Sequence, residues 1–180
     1  MSDALLSVRD SIITGFDVDW DQLTTRLDGL TDDEFVWCPV NTPSWSVVEG
    51  SDGVARAELE KPDPTPPPFT TIGWRMWHLG PDCLDSYSSR LWGTNGSGIE
   101  DQTWTLNADE ARNLVDRSFQ NFRTGIATSS ADELMTPIGE AFGPYAQANR
   151  IDLAIHARRE LIHHGAEIAL LRDLYERRDR

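Results

Sequence analysis

The stretch that decides the fold lies near the C-terminus, where residues 149–177 read NRIDLAIHARRELIHHGAEIALLRDLYER. Positions taken alternately four and three residues apart share one face of a helix. That face is apolar at both ends and ionisable in its middle, with the residues Leu153, Ala157, Glu160, His164, Glu167, Leu171 and Leu174. An unpaired carboxylate among apolar side chains is unfavourable by several kcal/mol. The pattern therefore predicts a long helix whose buried carboxylate has a partner or a cation.

Three other segments have the apolar spacing of amphipathic helices. The first covers residues 4–30, the second runs from residue 70 or 71 to about 92, and the third begins at the cap Asn107. Gly15 leaves open whether the first segment is one helix or two. Together with the C-terminal helix, these segments predict an all-α protein, an antiparallel four-helix bundle that forms a single domain over residues 1–180.

The connection between the first and second helices is long and is predicted to be partly β. Residues 44–48 and 53–57 contain short β-branched runs, which are typical of the two strands of a hairpin. The proline-rich segment at 61–68 cannot be helical and is expected to form a stiff, extended connector.

Interruptions and short turns are expected elsewhere in the helical part. Pro81 removes one backbone hydrogen bond from the second helix, so a kink is expected near Trp77. The glycine-rich residues 93–98 predict a loop after that helix. Thr31 and Ser130 each precede acidic residues and predict capped, short helical turns.

Composition and charge restrict the class of protein. Hydrophobic residues make up 39% of the 180 residues, which is enough for a core and excludes wholesale disorder. The formal net charge of -14 makes nucleic acid and membrane surfaces poor partners. Because no apolar run could span a bilayer and no signal-peptide pattern is visible, we expect a cytoplasmic protein. The two cysteines, Cys38 and Cys83, are too few for a disulfide scaffold and are expected to be buried structural thiols.

All four histidines fall on two predicted helices, and this concentration is the main functional signal. Glu160 and His164 are four residues apart, which places them on neighbouring turns of one face, within reach of a shared metal ion. A third ligand from another helix would leave open positions for water or substrate, and His78 is the natural candidate. The Glu-x-x-x-His spacing alone also fits a solvated pair or a hydrogen bond in the core, so both interpretations remain open.

The other two histidines can be placed by their angle on the helix. His156 lies one turn before Glu160 and is either a fourth ligand, a group that supports the ligands, or a partly exposed polar residue. His163 points about 100° away from His164 and is expected to be a hydrogen-bonded packing residue.

Two further carboxylates lie near the candidate ligands. Glu167 either orients His164 or forms a surface ion pair with Arg172 or Arg159. Asp82 lies one turn after the histidine of the second helix and approaches the same site unless the kink turns it away.

At these residues the chain resembles the DinB-like superfamily of four-helix-bundle proteins. The second helix carries the signature Thr-Ile-x-Trp-Arg-x-x-His as TIGWRMWH at residues 71–78. The last helix carries RELIHHGAEI at 159–168, followed by LRDLY at 171–175. Residues 29–34 resemble the end of the family's first helix. The resemblance spans nearly the whole chain and is most specific in the last helix.

The resemblance implies a metal site. Many such proteins bind one divalent metal through a histidine on the second helix and two residues one turn apart on the last, most often His-x-x-x-His. The residues at those positions here are His78, Glu160 and His164. The glutamate departs from the common pattern but is similar to the His/Glu/His metal-binding domain of mycothiol-dependent maleylpyruvate isomerase. Zinc and nickel are the first candidates for the metal, and iron and manganese also tolerate such ligands.

The resemblance also implies a function. It points to a metal-dependent enzyme that transfers a low-molecular-weight thiol, with mycothiol as the co-substrate, to a small electrophile, or that performs metal-assisted hydrolysis. The partner is then a small-molecule substrate, and a homodimer is expected because family members are often dimers. The alternative is a non-catalytic small-molecule-binding or stress-response bundle whose polar seam is a hydrogen-bonded remnant. A DNA-repair role, which the superfamily name suggests, fits poorly with the acidic charge.

Overall fold

Helices make up most of the described chain, as predicted. The computed structural model describes residues 2–93 and 103–179, so most of the loop predicted at 93–98 lies outside the described residues. In chain order the helices are α1 (Ser2–Leu27), α2 (Asp32–Phe35), α3 (Ile72–Trp77), a π-helix (His78–Asp85), α4 (Ser86–Trp92), α5 (Ala108–Thr128), α6 (Ala131–Leu134), a 3₁₀-helix (Glu140–Tyr145) and α7 (Arg150–Tyr175). No helix in this described part combines the length and the hydropathy needed to cross a membrane.

Capping side chains define where the helices begin. At α7, the Asn149 side chain accepts a hydrogen bond from the Asp152 N–H at 2.9 Å, and the Asp152 carboxylate accepts one from the Asn149 N–H at 3.1 Å. Asn107 caps α5, as predicted, by accepting from the Glu110 N–H at 2.8 Å. Each such cap stabilises its helix by about 1 kcal/mol. The predicted caps of the two short helices are also present, at Thr31 for α2 and Ser130 for α6.

Helix α1 packs against both α5 and α7 and supplies aromatic residues to the core. Trp20 stacks on Phe119 with the ring centroids 4.3 Å apart, and Phe16 stacks on the same ring at 5.3 Å. Such pairs add about 0.5–1.5 kcal/mol to what area burial alone contributes. Gly15 lies within α1, which is one continuous helix. The π-helix packs against α5 and α7, so its residues come close to those of α7.

Four short strands lie in the connection between α2 and α3. They are β1 (Ser44–Trp45), β2 (Val47–Glu49), β3 (Ala55–Ala57) and β4 (Phe69–Thr70). Strands β2 and β3 pair antiparallel, which is the expected hairpin. Strands β1 and β4 pair in parallel, which the sequence pattern did not predict. The Thr71 N–H donates to the Trp45 carbonyl at 3.0 Å directly before α3, so this pairing holds the start of α3.

The second long helix contains a π-helix where a kink was expected near Trp77. Pro81 has no N–H to donate, and its ring crowds the preceding turn. Over His78–Asp85 the backbone takes the wider π-helical turn, in which hydrogen bonds join residues five apart. Helical backbone angles continue at both ends of this segment, so the helix is not broken there, and the kink near Trp77 stays a prediction. Because a π-turn contains more residues than an α-turn, the residues four and five positions after His78 both lie close to it.

A buried ion pair joins α2 to α7. The Arg172 Nε donates to Glu34 Oε1 at 2.8 Å, and Arg172 Nη2 donates to Glu34 Oε2 at 3.3 Å. The two side chains are only 11% and 4% exposed, respectively. Arg172 Nη1 also donates to the Asp28 carbonyl at 2.8 Å and to the Arg26 carbonyl in the last turn of α1. One guanidinium therefore ties the end of α1 and the short α2 to α7.

Candidate metal centre

Three donor atoms from two helices converge at one point between the π-helix and α7. His78 begins the π-helix, and Glu160 and His164 lie one turn apart on α7. Their ligand atoms all lie within 4.8 Å of one another. Glu160 Oε2 is 3.4 Å from His164 Nε2 and 3.7 Å from His78 Nε2, so both imidazoles direct the same nitrogen towards one carboxylate oxygen. The structure brings together the three residues that the sequence singled out.

Each of these two imidazoles is held by a second carboxylate. Asp82 Oδ2 lies 2.7 Å from His78 Nδ1, and Glu167 Oε2 lies 2.8 Å from His164 Nδ1. A carboxylate at Nδ1 accepts the N–H of that nitrogen, which leaves the Nε2 lone pair for a metal ion. The sequence left open the roles of Asp82 and Glu167, and the structure places both beside the rings that they can orient.

Glu167 is itself fixed by groups on two sides. The guanidinium of Arg75, which is 10% exposed, forms an ion pair with Glu167. His163 Nε2 lies 3.3 Å from the other carboxylate oxygen, Oε1. The arginines considered from the sequence for this pair, Arg159 and Arg172, bind other carboxylates instead. Burial lowers the pKa of Arg75 to about 10, so its guanidinium remains charged at neutral pH.

Glu160 faces two cationic groups when no metal ion is bound. Burial lowers the pKa of His164 to about 4, which keeps its imidazole neutral at pH 7. The hydrogen bond with His78 lowers the pKa of Glu160 to about 2, so the carboxylate is ionised. Burial lowers the pKa of His78, but its hydrogen bonds with Asp82, Cys83 and Glu160 raise it to about 12. Without a metal ion, the charge on Glu160 is balanced by protonated His78 and by the Arg159 guanidinium, whose Nη2 lies 3.1 Å from Glu160 Oε1. Binding of a metal would release the His78 proton.

An aromatic wall covers one face of His78. The Trp74 ring stacks on the imidazole with centroids 5.5 Å apart and an interplanar angle of 9°. Trp45 stacks behind Trp74 at 5.7 Å, and Trp74 Nε1 donates to the Glu58 carbonyl at 2.7 Å. Trp74 therefore packs against one face of the imidazole, whereas Trp77 is a buried core residue.

A chain of polar side chains that sequence analysis missed leads away from His78. Cys83 Sγ lies 3.6 Å from His78 Nε2, and the Tyr87 hydroxyl donates to Cys83 Sγ at 3.7 Å. His156 Nε2 is 3.2 Å from the Tyr87 oxygen, and Arg159 Nη2 is 2.8 Å from His156 Nδ1. The apolar spacing of the second predicted helix assigned Cys83 and Tyr87 to its apolar side, together with Ile72, Met76, Leu79 and Leu91. The signal for them in the sequence is the pair Gly80-Pro81, two residues after His78. Such a pair disturbs the helical period and so changes which residues lie beside the histidine.

The two remaining histidines of α7 lie at the edge of the site. The His156 side chain is 38% exposed, and its Nδ1 is 3.7 Å from Glu160 Oε1. His163 is 62% exposed and stacks on His164 with centroids 4.9 Å apart. Neither belongs to the group of three close donors found among residues 2–93 and 103–179.

The donor set suits a divalent metal ion. Two neutral imidazole nitrogens and one carboxylate oxygen, with a carboxylate behind each ring, are the ligands that zinc and related ions take in proteins. An ion held by three protein donors keeps a position for water or substrate.

Comparison with known proteins bears on the same residues. A family model described as the DinB superfamily matches residues 16–168, a range that includes α3, the π-helix and all three donors. No curated protein and no solved structure matches the chain. Because the family model covers most of the sequence, the chain belongs to the DinB superfamily.

Proposed function

We propose that His78, Glu160 and His164 bind one divalent metal ion and that the protein is a metal-dependent enzyme acting on small molecules. The observation that carries the proposal is the convergence of the three donor atoms within 4.8 Å, with a carboxylate on the far nitrogen of each imidazole. If the Glu-x-x-x-His spacing were a coincidence, nothing would require Asp82 and Glu167 to lie at the Nδ1 atoms of the two imidazoles. Zinc and nickel are the preferred ions, and iron and manganese are compatible with the donor set.

The reaction that we propose is transfer of a low-molecular-weight thiol of the mycothiol type to a small electrophile, with metal-assisted hydrolysis as the neighbouring reaction. A divalent ion at this site would lower the pKa of a bound thiol or water and so supply the nucleophile. The chain's own residues prepare the site for it. Asp82 and Glu167 hold the two imidazoles in one tautomer, and Arg75 neutralises Glu167. The choice of thiol transfer rests on the resemblance to mycothiol-dependent maleylpyruvate isomerase.

We also propose that the long helices form the antiparallel four-helix bundle expected for this superfamily. The packing of α1 on α5 and α7, and of the π-helix on the same two helices, supports this arrangement. A bundle core is a usual place for metal sites built from side chains of facing helices.

Metal analysis tests the site. Protein purified without added metal, treated with a chelator and reloaded is expected to hold one ion per chain. Glu160→Ala and His164→Ala should lose the ion. Glu176→Ala is the control and should keep the ion, because Glu176 is a carboxylate just after α7 that is 62% exposed and outside the donor group. Absence of metal from every form would reject the proposal and favour the non-catalytic bundle.

A reaction screen tests the chemistry separately. The metal-loaded protein is incubated with low-molecular-weight thiols and electrophilic acceptors, and with ester and amide substrates for hydrolysis. We expect thiol-adduct formation that the chelator removes and that the Glu160→Ala variant lacks. Turnover that persists in the variant would exclude the proposed centre as its source.

A further inference from the structure

We propose that Cys83 is a fourth protein donor to the ion held by His78, Glu160 and His164, an inference that rests on the proposed metal site. Its Sγ lies 3.6 Å from His78 Nε2, the nitrogen that faces Glu160. An ion that binds sulfur at about 2.3 Å and imidazole nitrogen at about 2.0–2.1 Å in a tetrahedral site holds these two atoms about 3.6 Å apart. The observed separation, which also makes a hydrogen bond between the two side chains, therefore fits two donors to one ion.

The hydrogen bonds beside Cys83 run towards its sulfur. Arg159 Nη2 can only donate, so Nδ1 of His156, 2.8 Å away, accepts and the imidazole proton lies on Nε2. That N–H faces the Tyr87 oxygen at 3.2 Å, which leaves the Tyr87 O–H to donate to Cys83 Sγ at 3.7 Å. The sulfur therefore accepts the hydrogen bond that ends this chain of side chains. On binding the ion, the thiol would lose its proton to solvent and the sulfur lone pair would go to the metal.

The π-helix explains how Cys83 reaches the site. In an α-helix a residue five positions on points about 140° away from the first. The wider turn brings Asp82 to one nitrogen of His78 and Cys83 to the other. Cys83 is 3% exposed, so it lies beneath the site. Among the described residues, the donors within 4.8 Å of one another are the original three, so the sulfur would move towards Glu160 when the ion binds.

A thiolate in the donor set narrows the class of metal. Magnesium and calcium prefer oxygen ligands, whereas zinc, cobalt and nickel accept sulfur together with imidazole. Zinc sites can expand to five ligands during a reaction, so four protein donors still allow a substrate to bind.

Cobalt substitution tests the proposal under reducing conditions. We expect the Co(II) form of the intact chain to bind one ion and to show both visible ligand-field bands and a near-ultraviolet sulfur-to-cobalt charge-transfer band. Cys83→Ser should keep the ion and the visible bands but lose the charge-transfer band. Cys38→Ser is the matched control and should keep both. Cys38 is half-buried and not fully buried as expected, and its thiol donates to the Val40 carbonyl at 3.4 Å.

The outcomes separate this proposal from the one on which it rests. Cobalt bound without a charge-transfer band in the intact chain would overturn the role of Cys83 and leave the three-donor site intact. Failure to bind cobalt or zinc at all would overturn both. If Cys83→Ser does not fold, X-ray absorption of the zinc form of the intact chain decides: a sulfur neighbour at about 2.3 Å supports the proposal, and only nitrogen and oxygen neighbours overturn it.

Discussion

Replacing Arg172 by methionine is expected to lower the free energy of unfolding by about 3–5 kcal/mol, because the Glu34 carboxyl group would remain buried without its partner. Glu34 is 4% exposed, so water cannot take the place of the guanidinium. The change also removes the donor to two carbonyls at the end of α1. Domains of this kind are stable by about 5–15 kcal/mol, so the loss is a large fraction of the total. The melting temperature should fall by roughly 6–20 °C.

Urea denaturation followed by circular dichroism measures this change. Adding Glu34→Leu to the Arg172→Met variant removes the buried charge and should restore part of the lost stability. Arg177→Met is the control, because Arg177 is 56% exposed and its substitution should change stability by no more than about 0.5 kcal/mol. A loss below about 1 kcal/mol for Arg172→Met, the value typical of exposed ion pairs, would refute the reasoning. A double variant with a lower free energy of unfolding than Arg172→Met alone would also refute the reasoning.

Three further changes test other features of the fold. Gly125→Ala should lower the free energy of unfolding in urea by about 1–3 kcal/mol, because the new Cβ would lie 2.5 Å from the Trp92 ring; unchanged stability would contradict this packing. Ser130→Ala should cost about 1 kcal/mol in the same assay by removing the capping box of α6, and a threonine at this position should restore most of it. The hydrogen bond from Arg123 lowers the pKa of Asp17, although burial opposes it, so the stability that this pair contributes is present above the ordinary value of 3.8 and is lost as the pH falls through the lowered pKa. Arg123→Gln should therefore make the free energy of unfolding less dependent on pH below about pH 4, and an unaltered acid titration would count against the pair.

Local patterns explain why much of the helical structure was predictable. The caps at Asn107 and Ser130 and the apolar spacing of α5 depend on residues three or four apart, which a sequence displays directly. Glu160 and His164 have the same local relation, so their shared face on α7 followed from spacing alone. That His78 lies beside them could not be read from spacing, because spacing does not show which helices are neighbours. The family resemblance supplied this part of the prediction. Metal binding by these residues stays a prediction.

The features that sequence analysis missed depend on contacts between distant residues or on a change of helical period. The pairing of β1 with β4 and the ion pair of Arg75 with Glu167 join segments far apart in the chain, and no local pattern marks them. Cys83 and Tyr87 were assigned by a period of 3.6 residues, which the π-helix does not follow. Pro81 was recognised as a disturbance, but its effect was to widen the helix.

The parallel pairing of β1 with β4 closes a loop whose two ends meet just before α3. The chain leaves this strand pair at residue 46 and comes back to it at residue 68. Doubling the length of a closed loop costs only about 0.6 kcal/mol in entropy. Insertions or deletions at the hairpin turn of residues 50–53 or in the connector at 61–68 should therefore leave His78 in place. Glu58, whose carbonyl accepts the hydrogen bond of Trp74, has to stay.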